Sequence, residues 1–356
     1  MNKPWMIYGA NGYTGELMAR EAVRRGHAPV LAGRSEAKIA PLARELGLDH
    51  RCFSLDAPAA VDAGLAGIAL VIHCAGPFSA TARPMMEACI RNGTHYLDIT
   101  GEIAVFELAH QLDERARMAG VLLCPGVGFD VVPTDCLAAA LKEALPEARR
   151  LALGFDSRGG MSPGTARTSV EGLAKGGRIR REGRLVPVPL AWRTRQIDFG
   201  DGEKLAMTIP WGDVATAWYS TGIPDIEVYL PASPKLVKRL RRLNWFRVLL
   251  GLGPVQSWLK GKVDKSVHGP SAEERARTPT FVWGEASDGR GQTVTGRVRV
   301  ANGYEVTIHA ALGIAERVQE MRRAVGHLTP SQLVGRDFVE LLPGSSPIRI
   351  EEQGAD

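Results

Sequence analysis

The chain has 356 residues, more than one hydrophobic core usually serves, so two domains or one domain with a large insertion are expected. Hydrophobic residues make up 45% and charged residues 23%, which excludes a disordered or fibrous chain, and no apolar run approaches the roughly 20 residues of a membrane-spanning helix. The net charge of +5 is unevenly spread: Lys235 to Lys262 holds eight basic residues and no acid, so the remainder is net negative.

Five cysteines, odd in number and without C-x-x-C spacing, read as reduced thiols. The N-terminal apolar stretch is too short for a secretory signal, and a cytoplasmic protein is expected.

In chain order, strand-like WMIY runs into Gly9-Ala10-Asn11-Gly12-Tyr13-Thr14-Gly15 and then a helical segment closed by Gly26. Strand, Gly turn and helix together point to a dinucleotide site. Glycine lets the backbone approach a pyrophosphate, and a helix N-terminus offers free N–H groups, so Gly9, Asn11, Gly12, Tyr13, Thr14 and Gly15 are assigned to the cofactor. The second strand ends in Gly33-Arg34-Ser35, where NAD-preferring domains carry an acid for the ribose 2′-OH. A guanidinium beside a hydroxyl suits a 2′-phosphate, and NADP(H) is predicted.

A helix over 36–46 and a strand over 51–53 lead to Asp56, which either caps a helix or accepts from the adenine amino group. A buried strand from Ile68 to Cys74 ends in Ala75-Gly76-Pro77-Phe78, placed beside ribose and nicotinamide because ligands sit beyond the carboxyl ends of such strands. A helix over 80–92, strand HYLDIT, a helix over 103–119 and strand VLLCPG follow. The expected class is α/β: a Rossmann-type parallel sheet of six strands over residues 1–130.

After Asp130 a helix over 133–145 opens a second, α+β domain with a mainly antiparallel sheet over 131–320, whose strands include LALGFDS, TRQIDF, TFVWGEAS and YEVTIHAAL. Residues 321–356 are expected to pack back on the first domain. A homodimer through an exposed edge of the second sheet is expected by analogy.

No tyrosine is followed four residues on by lysine, and no G-x-S-x-G, H-E-x-x-H or Cys/His metal spacing occurs, so no metal is expected. His309 reads as a packed strand residue rather than a catalyst. Asp130, in CPGVGFDVVPTD, either protonates a reacting atom or caps the next helix; Asp135 fits that helix's first turn. Tyr96 is a second candidate proton donor. Asp98, Thr100 and Glu102 bind ribose or substrate, or cap the helix that starts near Glu102.

Phe129, Ser162 and Thr165 are assigned to the substrate, the last two through a Gly-rich loop preceding a helix. Trp211, Trp218 and Tyr219 line a hydrophobic pocket or pack in the core. Segment 235–262 reads as a basic amphipathic helix that either lies on an anionic membrane surface or covers the second sheet. Nucleic acid is not expected, since no recognised module accompanies the charge.

GANGYTG, LAGRS, CAGPF, GTHYLDITGE and PGVGFDVVPTD, in this order and spacing, resemble the saccharopine dehydrogenase-like oxidoreductases, including the group called trans-acting enoyl reductases, over about residues 5–230. The resemblance implies a Rossmann domain with NADP(H), a second sheet domain and reduction of C=N or activated C=C bonds. It also implies an acid near the reacting centre at the place of Asp130. The expected activity is hydride transfer from NADPH to an enoyl or imine bond of a hydrophobic or carrier-linked substrate. Two alternatives stand beside it: a non-catalytic NADP(H)-sensing protein and an imine-type amino-acid dehydrogenase.

Overall fold

A computed structural model of the chain describes residues 4–159, 163–266, 269–321 and 324–353. The first half alternates strand and helix: β1 (Trp5–Tyr8), α1 (Tyr13–Arg24), β2 (Val30–Gly33), α2 (Glu36–Leu46), β3 (His50–Cys52), α3 (Pro58–Leu65), β4 (Leu70–His73), α4 (Phe78–Asn92), β5 (His95–Asp98), α5 (Ile103–Gln111), α6 (Asp113–Met118) and β6 (Leu122–Cys124). Every residue of β1, β2 and β4 is buried, as expected of parallel strands covered by helices on both faces.

The second half runs α7 (Val132–Ala144), β7 (Arg150–Ser157), α8 (Pro163–Lys175), β8 (Gly177–Arg181), β9 (Arg184–Val188), β10 (Thr194–Asp198), β11 (Glu203–Thr208), α9 (Asp213–Thr221), β12 (Asp225–Pro231) and α10 (Pro234–Leu243). A 3-10 turn at Asn244–Phe246 leads to α11 (Arg247–Leu250), α12 (Gly253–Ser266), α13 (Ala272–Arg277), β13 (Thr280–Ser287) and β14 (Thr293–Val300). The chain ends through α14 (Gly303–Glu320), β15 (Gly326–His327), α15 (Pro330–Val334), a 3-10 turn at Arg336–Leu341 and β16 (Arg349–Gln353).

Two compact units result: residues 1–132 with 304–334, and residues 133–303 with 335–356. The first holds a seven-stranded, all-parallel sheet in the order β15-β6-β5-β4-β1-β2-β3. The order reverses between β1 and β4, which pair in register from Trp5↔Leu70 to Tyr8↔His73. Such a switch point opens a crevice at the strands' carboxyl ends. The second unit holds a mixed sheet ordered β10-β11-β12-β7-β13-β14-β16, with the β8–β9 hairpin attached to β12; among the described residues only β12–β7 is parallel. Gly284 and Gly296 face each other across β13 and β14, and a Cβ on either would lie 2.7 Å from Leu141 or Leu137. Two bare positions thus let α7 settle directly onto the sheet.

The architecture is the α/β Rossmann-type sheet plus α+β unit read from the sequence, with differences in detail. YEVTIHAAL is helical, not a strand. Its first apolar residues alternate, but the run continues with Ala310, Ala311, Leu312, Ile314, Ala315 and Val318, whose spacing buries one helix face. That helix belongs to the first unit, so the unit resumes at Tyr304 rather than ending near 130. The C-terminal stretch divides as well. β15, a two-residue strand too short to show a pattern, becomes the seventh strand of the first sheet, whereas β16 pairs with β14 in the second. The basic segment is three short helices rather than one, interrupted at Asn244, whose side chain accepts from Leu190 N–H at 2.8 Å, and again before Pro254.

Candidate active site

The Gly turn after β1 leaves no room for side chains. Gly9 has φ +84, a Cβ on it would meet Ala75 N at 2.8 Å, and a Cβ on Gly15 would strike the Gly9 carbonyl. Gly9 N–H donates to Ala32 O at 2.7 Å and Gly12 N–H to Gly9 O at 3.0 Å, fixing the turn between β2 and α1. No side chain caps α1, and its first-turn acid, Glu16, is paired with Arg20 on the next turn, so the cap position at Gly12 is left to the backbone amides. Tyr13 is braced edge-on by Tyr304 of α14 at 5.1 Å, and Thr14 stands half-buried beside it.

At the end of β2, Asn11 Oδ1 lies 3.0 Å from where a Gly33 Cβ would stand, and Arg34 is exposed with no hydrogen bond or ion pair among the described residues. Ser35 is the N-cap residue of α2, its hydroxyl making no cap bond. A bare glycine cradle, an uncapped helix and an unpaired guanidinium fit a dinucleotide carrying a 2′-phosphate. Arg34→Asp should weaken NADPH binding on the order of 100-fold and spare NADH, as read by fluorescence titration of both cofactors. Equal NADPH affinity in the variant would refute the assignment.

Asp56 is exposed and accepts from Ser54 Oγ at 2.6 Å. It does not cap α3, which starts from Ala57 without a side-chain cap, and its carboxylate stands beyond β3 on the same side of the sheet.

The turn after β4 is fixed by a residue the sequence reading passed over. His73 is fully buried, with Nε2 3.0 Å from Thr81 Oγ1, whose own proton goes to Ala75 O at 2.7 Å or Pro77 O at 3.1 Å. Burial pushes the His73 pKa down to about 3, so the ring is neutral and donates from Nε2. Ala75, Gly76, Pro77 and Phe78 are thereby tied to β4 and α4, with Phe78 edge-on to His73 at 5.4 Å and the Gly76–Pro77 peptide cis.

Asp98, at the end of β5, organises the next two turns. It is completely buried. Its Oδ2 accepts from the Tyr96 hydroxyl at 2.6 Å, and its Oδ1 from Thr100 N–H at 3.0 Å and Gly126 N–H at 2.8 Å. Desolvation pushes its pKa up to about 6, against the lowering effect of these donors. Tyr96 has no exposed surface, and its hydroxyl donates to Asp98, which corrects the expectation that Tyr96 is a second catalytic proton donor.

Thr100 Oγ1 accepts from Glu102 N–H at 3.0 Å, turning the chain ahead of α5. Glu102 does not cap α5 with its side chain. It reaches across the sheet edge to α4, accepting from Phe78 N–H and Ser79 N–H, each at 2.9 Å.

Asp130 follows β6. Its half-buried side chain lies against Gly101, where a Cβ would come within 2.5 Å of Oδ2. No hydrogen bond or ion pair engages its carboxyl among the described residues, and burial alone pushes its pKa up to about 7. The preceding turn is held by α14: Phe129 N–H donates to Thr307 Oγ1 at 3.0 Å, and a Cβ on Gly128 would sit 2.9 Å from Thr307 Cγ2. Tyr304 and Thr307 thus support the Gly turn and the Asp130 turn from one helix. Sequence reading missed both because it took their segment for a strand. Asp135 is buried in the first turn of α7.

The first unit therefore gathers Gly9 to Gly15, Arg34, Ser35, Asp56, Ala75 to Phe78, Thr100, Glu102, Phe129 and Asp130 at the carboxyl ends of one parallel sheet. The remaining candidates belong to the second unit. Trp211 lies tilted against Phe155 with ring centroids 4.7 Å apart, and Trp218 and Tyr219 flank the Arg180 guanidinium at 5.5 and 5.9 Å. Ser162 lies outside the described residues; Thr165 is on α8, its side chain also outside them.

Residues 5–124 match the family model of the saccharopine dehydrogenase NADP binding domain. The chain is 32% identical over 152 residues to a saccharopine dehydrogenase-like oxidoreductase of Rattus norvegicus, covering 36% of this chain and 35% of that protein. It is 30% identical over 138 residues to a trans-acting enoyl reductase of Mycobacterium bovis, covering 36% and 33%. The match thus spans about a third of the length of these curated relatives.

Among solved structures, apo saccharopine dehydrogenase (L-Glu forming) from Saccharomyces cerevisiae aligns with a TM-score of 0.69 over 99% of this chain and 100% of that chain, at 11% identity. The homospermidine synthase from Legionella pneumophila, in complex with NAD, aligns with 0.66 over 99% and 92%, at 10%. Identities this low speak to the fold alone. Residues 5–124 are thus similar to the saccharopine dehydrogenase NADP binding domain, and the glycine cradle and Arg34 fit the cofactor that this family model names.

Proposed function

We propose that the protein is an NADPH-dependent reductase of an activated C=C or C=N bond in a hydrophobic or carrier-linked substrate, with Asp130 as the proton donor. The observation that carries this reading is the half-buried Asp130 carboxyl, packed against Gly101 with no partner among the described residues, on the same sheet edge as the cofactor cradle; burial pushes its pKa up to about 7. NADPH, when bound, supplies the hydride. Asp130 holds a proton near neutral pH because burial disfavours its charge, and gives it to the atom adjacent to the one reduced. Hydride and proton together saturate the bond, and the partly exposed carboxylate regains its proton from water.

Tyr96 and Asp98 are positioning residues in this reading. Asp98 fixes the turns at Thr100 and Gly126 between which Asp130 sits. The names of the enoyl reductase relatives favour C=C reduction over C=N. The test is substrate-dependent loss of NADPH absorbance across a panel of enoyl thioesters and cyclic imines. Tight NADPH binding without turnover on any of them would instead favour a sensor of cofactor redox state.

A further inference from the structure

The structure leaves one apolar surface without cover, and its chemistry specifies a partner. Ten large hydrophobic side chains stand exposed among the described residues, and six of them fall between Leu236 and Trp258. Trp245 is 88% exposed, Phe246 61% and Trp258 59%; a typical folded surface scatters such groups singly. The segment is not loose. Val237 and Leu240 pack α10 beside Met207 and Ala191, Ser233 caps its N-terminus, and α11 and α12 pack on α8. Arg241 donates to Ala191 O at 3.0 Å, which brings the exposed Trp192 next to the same helix.

Between Lys235 and Lys262 every charged residue is basic. Lys235, Lys238, Arg239 and Arg242 are exposed, and none forms an ion pair or hydrogen bond among the described residues. We propose that the 235–262 surface docks on an anionic lipid bilayer, its indole and phenyl rings entering the headgroup region while the lysines and arginines meet lipid phosphates. Single-sign charge without one acid suits a membrane surface better than a protein partner, whose interface depletes lysine and needs polar groups to fix its register. Leu236, Leu249 and Leu252 have no ring to stack on bases, which disfavours single-stranded nucleic acid. Aromatic and cationic side chains on short helices lying in the interface plane are the recurring form of peripheral anchoring.

Flotation of the full chain with vesicles of phosphatidylcholine alone, or mixed with phosphatidylglycerol, tests the proposal. Binding should be at least about tenfold stronger to the mixed vesicles and should fade at high salt. Replacing Lys235, Lys238, Arg239 and Arg242 together by Gln should weaken it on the order of 100-fold or more, and Trp245→Ser with Phe246→Ser to a similar degree. Replacing Lys235 and Lys238 by Arg should preserve it. NADPH affinity and thermal midpoint should not change in any of these variants, which shows that each is folded. Absence of flotation by the wild-type chain at low salt overturns the proposal, as does flotation that survives both sets of substitutions. Lipid-free self-association abolished by the Trp245 and Phe246 changes, without flotation, would make the surface an interface between copies and overturn it equally.

Discussion

Asp130→Asn is expected to lower kcat about 100- to 10,000-fold while leaving NADPH affinity unchanged, because it removes a proton donor and keeps the shape that fits against Gly101. The wild-type pH profile supplies the sharper measurement. The donor acts in its protonated form, so with a pKa near 7 the rate should be level in mild acid and fall about tenfold per pH unit well above it. The Asn variant should lose that bend as well as the rate. A variant with reduced kcat and the same bend would show that another group titrates.

The same ionisation acts on stability. The folded pKa lies above the ordinary carboxyl value of about 3.9, so the folded state binds the proton more tightly than the unfolded chain. Stability contributed by the protonated group is present in acid and is lost as pH rises from about 4 to about 7. Asp130→Asn should therefore flatten this decline, as followed by urea midpoints across that range.

Asp98→Ala is expected to cost about 3–6 kcal/mol, because it strands three buried donors, the Tyr96 hydroxyl and the amides of Thr100 and Gly126. Asp98→Asn should cost far less. Its amide oxygen can still accept from both backbone N–H groups, while its NH2 donates to the Tyr96 oxygen once that hydroxyl has rotated. The sign of the pH effect follows from a folded pKa near 6, again above the unfolded value: wild-type stability declines as pH rises from about 4 to about 6, and the Asn variant lacks this contribution. Chemical denaturation of the three proteins at both ends of the window separates the explanations. If Asp98→Ala unfolds at the wild-type midpoint, the buried acid is not what holds the two turns.

Much of this was legible because the information is local. The Gly9–Gly15 turn follows a strand and opens a helix, and Arg34 stands at a fixed interval beyond it, so neighbouring residues sufficed to place the cofactor cradle. Asp130 drew attention for a comparable reason: a charged residue in a run of Gly, Val, Phe and Pro needs an explanation. What stayed hidden is which side chain meets which, near or far along the chain. Nothing near Glu102 in sequence says that its carboxylate reaches Phe78 and Ser79, and Tyr96 looked like a donor until Asp98, two residues on, claimed its proton. His73 reads as one more strand residue until Thr81 is seen across the turn. The strand assigned to YEVTIHAAL failed because five residues of alternation were outweighed by the helical spacing of the ten that follow.

Glu102 has a further consequence for how the crevice reads a ligand. Two helix N-termini point into the same edge of the parallel sheet, and they have been made unlike. That of α1 has bare glycines, no side-chain cap and a first-turn acid, Glu16, that is paired with Arg20; that of α4 carries the Glu102 carboxylate, held by two of its amides. An anion meets uncapped amides at α1 and an occupied helix terminus at α4, so the edge of this sheet is electrically asymmetric along its length.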